Sequence, residues 1–85
     1  MSYNYESWKD TVTVGDFTTV RDRVLAAFAD TGAITIGRAI DGLTGDSFTM
    51  LAAVDMLVER KEAQKVEVPG AYSQYWVLVK PRGRE

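Results

Sequence analysis

A chain of 85 residues, 46% hydrophobic and 26% charged, has room for one hydrophobic core and enough apolar side chains to fold without staples. Its formal net charge of −2 supplies no global cationic field toward nucleic acid or anionic lipid, although a local basic patch stays possible. With neither cysteine nor histidine, disulfides, thiolate nucleophiles, Cys/His zinc sites and histidine general bases are excluded.

The opening residues MSYNYESWKD lack the basic region and apolar run of a signal peptide. No apolar stretch approaches the ~20 residues of a membrane span, so a cytoplasmic protein is expected. Residues 1–15 show no helical period and carry Tyr3, Tyr5 and Trp8 ahead of the alternation Thr11-Val12-Thr13-Val14. They read as an extended N-terminal arm. Three aromatics in so short a segment are too many to leave in water, so the arm should lie along the domain or a partner.

Residues 16–80 read as the folded domain. A first helix is expected from Thr18 or Thr19, either a suitable N-cap, to Asp30, with Val20, Val24, Leu25 and Phe28 as its core stripe. Gly32 fits a left-handed position just past its end. Ala33-Ile34 is a short extended link. Thr35 caps a second, shorter helix whose core residues are Ile36, Ala39, Ile40 and Leu43, and Gly42 with Thr44-Gly45 marks a tight turn. Asp46 or Ser47 caps a third helix reaching about Glu62, with Met50, Leu51, Val54, Leu57 and Val58 inward. Val66 and Val68 alternate with charge, Pro69-Gly70 starts a turn, and Tyr75 to Val79 is strongly β-prone, which makes a hairpin. Residues 81–85 form a polar basic tail.

Helix, link, helix, tight turn, longer helix and hairpin is an order that resembles the winged helix-turn-helix superfamily. The segment TIGRAIDGLTGDSFTML looks like the helix-turn-helix itself, with the small Ala39 where the two helices approach. The likeness spans about Thr18 to Lys80. It implies an α+β fold with a three-helix core and a C-terminal β-hairpin wing, commonly used on duplex DNA and frequently dimeric. A small DNA-binding protein, a transcriptional regulator, is therefore the expectation.

The residues themselves allow a second reading. With Met50, Val54 and Leu57 inward, the outer face of the third helix carries Ser47, Phe48, Thr49, Ala52, Ala53, Asp55, Met56, Glu59 and Arg60. Groove readers rely on Arg, Lys, Asn and Gln at such positions, yet from Thr35 to Glu59 Arg38 stands alone against Asp41, Asp46, Asp55 and Glu59. Carboxylates repel phosphate and release no counterions. If DNA is bound, Ser47, Thr49 and Arg60 would reach the groove, Arg38 a phosphate, and Lys65, Tyr72 and Arg82 would act from the wing and tail. Alternatively the domain is a protein-interaction module that reads no DNA, using Phe48, Ala52 and Met56 of the third helix, Tyr75 and Trp76 of the wing, and Tyr3, Tyr5 and Trp8 of the arm.

The last strand is apolar on both faces: Tyr75, Val77 and Val79 on one, Trp76 and Leu78 on the other. A hairpin covering a single core should alternate apolar with polar. The second face needs its own cover, supplied by the arm or by another subunit, so a homodimer is expected. No GxSxG elbow, phosphate-cradling glycine loop or HExxH helix occurs. No catalytic, cofactor or metal site is expected.

Overall fold

The computed structural model describes residues 3–43 and 47–81. Arg82, the tail beyond it, the Thr44-Gly45 turn and the alternative cap Asp46 lie outside the described residues. The arm departs first from the expected extended form. Tyr5–Trp8 is a short helix, α1, and Lys9–Thr11 a 3-10 turn. Asn4 starts α1 by accepting the Glu6 backbone N–H on its side-chain oxygen at 2.9 Å, satisfying a donor that a first helical turn leaves open.

The alternation at residues 11–14 does not make a strand, because Thr13 is an N-cap. Its hydroxyl accepts the Asp16 N–H at 3.0 Å and starts helix α2, Val14–Asp30. The helix therefore begins earlier than a Thr18 or Thr19 cap would allow, and Val14, 83% exposed, opens it from the solvent side. Val20 and Val24 are buried, and Phe17 and Phe28 pack partly buried against the core. Gly32, at φ 87, returns its N–H to the Ala27 carbonyl at 3.1 Å, the left-handed closure expected there.

The link after Gly32 is a strand, β1 (Ala33–Thr35). The Thr35 hydroxyl accepts the Arg38 N–H at 3.3 Å and starts α3, Ile36–Ala39. Helix α4 spans Ser47–Glu59. It stops short of Glu62 because Lys61 takes a left-handed φ of 63, which lets the Glu62 N–H reach back to the Leu57 carbonyl at 2.9 Å. Strand β2 (Gln64–Val66), a 3-10 turn (Ser73–Tyr75) and strand β3 (Val77–Val79) complete the chain. Tyr75 and Trp76 thus lie ahead of the final strand, not in it.

Among the described residues these elements form an α+β domain with four α-helices and a three-stranded antiparallel sheet ordered β1-β3-β2. Central β3 pairs Leu78 with Ile34 on one side and with Lys65 on the other. Leu78 turns into a core shared with Val20, Val24, Ile36, Ala39, Met50, Ala53, Val54, Leu57 and Ala63. Burying each large member contributes about 1.5–3 kcal/mol relative to exposure. Trp76 packs against this core, while Val77 and Val79 point to the opposite face of the sheet and remain half-buried. No helix among the described residues is long and apolar enough to cross a membrane.

Candidate functional site

The outer face of α4 is covered by the chain's own arm. Ala52 is 0% exposed and Thr49 8%, although simple helical geometry with a bare third helix puts both outside. Ala53, expected outside as well, belongs to the core. The Phe48 ring sits between two arm aromatics, 5.6 Å from Tyr3 and 5.3 Å edge-on from Trp8, within the range in which aromatic pairs attract.

Polar bonds pin the arm along the helix. The Tyr3 hydroxyl donates to Asp55 Oδ2 at 2.6 Å and the Tyr5 hydroxyl to Glu59 Oε1 at 3.0 Å. Thr11 Oγ1 donates to the Trp8 carbonyl at 2.7 Å. It has a single proton to give, so in its 2.8 Å contact with Thr49 Oγ1 the Thr49 hydroxyl is the donor. Burial, followed by the bond to Asp55, pushes the Tyr3 phenol well above its ordinary range. Burial and the bond to Glu59 push Tyr5 upward as well. Both effects hold the phenols protonated, as donors.

The basic residues of this half of the molecule are largely engaged internally. Lys65 Nζ meets Asp55 Oδ1 at 2.5 Å and lies 5.8 Å from the Trp76 ring centre. Arg60 Nε meets Glu62 Oε2 at 2.9 Å, with its guanidinium 5.2 Å from the Phe17 ring centre. Glu62 also accepts from Arg21 Nε at 2.6 Å. These two hydrogen bonds lower the Glu62 carboxyl below its ordinary value.

Of the residues proposed for DNA contact, Arg38, Ser47 and Tyr72 are exposed. Thr49 is sealed under the arm, Arg60 and Lys65 are held in ion pairs, and Arg82 lies outside the described residues. Of those proposed for protein contact, Tyr3, Tyr5, Trp8 and Phe48 serve each other or α4 within the chain, Ala52 is inaccessible, and Met56 is half-buried. Trp76 packs inward, its indole N–H donating to the Ala71 carbonyl at 3.3 Å. Tyr75 remains 58% exposed. For Thr49, Phe48 and the arm aromatics the physical reason is that the arm folds back on α4 instead of lying over the sheet.

Ser47 and Tyr72 do come together. With Ile40, Leu51 and Gln74 they line a cleft of about 390 Å³ between α3, the start of α4 and the hairpin. Tyr72 is 79% exposed at its lip. α3 comes close to the hairpin at Gly37, where a Cβ would stand 3.0 Å from the backbone oxygen of the cleft residue Gln74. A side chain at Gly37 would require the Gln74 backbone to give way by a few tenths of an ångström, so glycine favours this close approach of α3 to the hairpin. Ile40 and Leu51 escape sequence reading as lining residues because their helical spacing marks them as core. No protein-family model, curated protein or solved structure matches the chain.

Proposed function

We propose that the chain is a winged-helix domain working through protein contact, not by reading the major groove. The order helix, strand, helix, helix, hairpin, with the last strand central in the sheet, supports the winged-helix assignment. The observation that carries the functional reading is the cover on α4. A groove-reading helix must present donors, and here the face that would enter the groove is occupied by α1 and the 3-10 turn of the same chain. Apart from Val14 at the start of α2, the large exposed apolar groups of the described residues lie on the hairpin, where Val66 is 43% exposed, Val68 38%, Tyr72 79% and Tyr75 58%. Exposed tyrosines beside an apolar cleft are typical anchors of protein interfaces.

The partner in this reading is a second copy of the chain. Strand β2 is a sheet edge, and an edge strand offers unpaired N–H and C=O groups to another strand. Two copies joined there would cover the hairpin side chains of each. One observation favours a second reading: Arg38, Ser47 and Tyr72 are all exposed around the α3–α4 turn and hairpin, a placement suited to phosphate contact.

Sedimentation velocity across a wide concentration range, paired with a titration of random-sequence duplex DNA at low salt, separates the two. The expected outcome is a reversible dimer, lost in Tyr72→Asp, and no DNA binding. A monomer at every concentration overturns the self-association. Salt-sensitive DNA binding abolished by Arg38→Glu would put the second reading in its place.

A further inference from the structure

A second cleft opens at the other end of α4, about 20 Å from Ser47 along a 13-residue helix. Its floor is Leu25 and Phe28 of α2 with Pro81 after β3. Its rim is Arg21, Lys61, Glu62 and Lys80, and its volume is about 560 Å³. It shares no lining residue with the cleft at the hairpin.

The rim charges are unbalanced. Glu62 is satisfied twice, by Arg21 at 2.6 Å and by Arg60 at 2.9 Å. Lys61 and Lys80 are exposed, and neither has a carboxylate partner among the described residues. On a chain of net charge −2 they place beside an apolar floor two ammonium groups that no described carboxylate pairs. Lys61 is also the only described non-glycine residue with a positive φ, 63. Glycine would hold that backbone without strain, so the lysine sits there against its local preference.

We propose that this cleft binds an acidic peptide segment of a partner protein. An aromatic or large aliphatic side chain of the peptide rests on Leu25, Phe28 and Pro81, and its flanking carboxylates pair with Lys61 and Lys80. The floor selects an apolar group, and the two ammonium groups set the sign of what surrounds it. This site is independent of the hairpin surface and stands or falls apart from it.

The probe is a fluorescein-labelled synthetic peptide with one tryptophan flanked by aspartates, titrated with the full chain by fluorescence anisotropy. The expected result is saturable binding that weakens as salt rises. K61E/K80E should loosen it by about tenfold, the scale of two partly exposed ion pairs turned into repulsion. A peptide with alanine for the tryptophan, or lysines for the aspartates, should bind far more weakly. Lys61→Gly keeps the fold and relaxes the backbone, so a several-fold loss of affinity in that variant reports on the ammonium group alone. Tyr72→Asp should bind as the parent does. Equal affinity for the aspartate and lysine peptides, unchanged affinity in K61G and K61E/K80E, or tighter binding of a single-stranded DNA oligonucleotide at the same residues would each overturn the proposal.

Discussion

Replacing Asp55 with alanine should destabilise the domain by about 3 kcal/mol, more than any other single polar change on α4. The carboxylate works on two sides. Oδ2 accepts the Tyr3 hydroxyl at 2.6 Å, and hydrogen bonds to charged groups contribute about 1.5–3 kcal/mol, of which about 1–1.5 remains after screening at this half-buried position. Oδ1 holds Lys65 at 2.5 Å, with side-chain exposures of 26% for the lysine and 16% for the aspartate. That pair lies between a surface bridge, worth about 0–1 kcal/mol, and a buried one, whose breaking costs about 3–5 kcal/mol, so about 1.5–2 kcal/mol is taken. The total is a large part of the roughly 4–13 kcal/mol available to a domain of this size. It corresponds to a fall in melting temperature on the order of 10–20 °C. Urea unfolding followed by circular dichroism at neutral pH measures it. Tyr3→Phe alone should lose about 1 kcal/mol. Removing both charges in D55L/K65M should recover more than half of the loss, since a buried pair can be exchanged for apolar packing while an orphaned charge cannot. A loss in Asp55→Ala below about 1 kcal/mol would refute the view that Asp55 ties the arm and the hairpin to α4.

Alkaline pH should act on the same tether. Tyr3 and Tyr5 have raised pKa values in the fold, so their contribution is present below the unfolded value of about 10 and lost as pH climbs above it. The urea midpoint should fall more steeply above that pH in the parent than in Y3F/Y5F, and parallel falls would contradict the assignment. Lys61→Gly should stabilise the chain by about 1 kcal/mol by relieving the left-handed lysine, raising the melting temperature by about 4–8 °C; a lower one would show that the lysine side chain stabilises the turn. Gly37→Ala should destabilise by about 1–2 kcal/mol despite alanine's better helix propensity, because its Cβ would press on the Gln74 backbone oxygen at 3.0 Å. Amide exchange in the 3-10 turn at Ser73–Tyr75 should quicken, and unchanged exchange there would rule out the close approach as its cause.

Much of the helical frame is legible in the residues. The stripe Val20, Val24, Leu25, Phe28 places α2, Thr35 caps α3, Gly32 closes α2, and Met50, Val54 and Leu57 pick out the inner face of α4. Each of these features is settled by residues within a turn or two. The two misread stretches have equally local causes. Thr13 was hidden in an alternating pattern that imitates a strand, and its cap starts α2 early. An aromatic segment without a visible period, Tyr5–Trp8, is helical because Asn4 caps it and α4 receives its rings.

The candidate site was legible only in part. Ser47 and Tyr72 carry their exposure into the structure and share one cleft. Thr49, Ala52 and Phe48 do not, since whether a helix face is open depends on what folds over it. The contacts that close it join Tyr3 to Asp55 and Thr11 to Thr49, separations of 52 and 38 residues. The same holds for charge. Lys65 and Arg60 look like free cations in the chain, and the cleft at Lys61 and Lys80 is invisible there, because ion pairing is chosen by proximity in space.

By itself, then, the sequence determined the α+β character, most of the helical core positions, the Thr35 cap, the Gly32 closure and the absence of Cys/His chemistry, all consequences of composition and of spacing over a few residues. The tertiary structure alone decided that the arm is helical and lies on α4, which cations are spent and which remain, and where the two clefts open. Those outcomes depend on long-range closure, in which apolar rings and buried donors find the one surface that satisfies both at once.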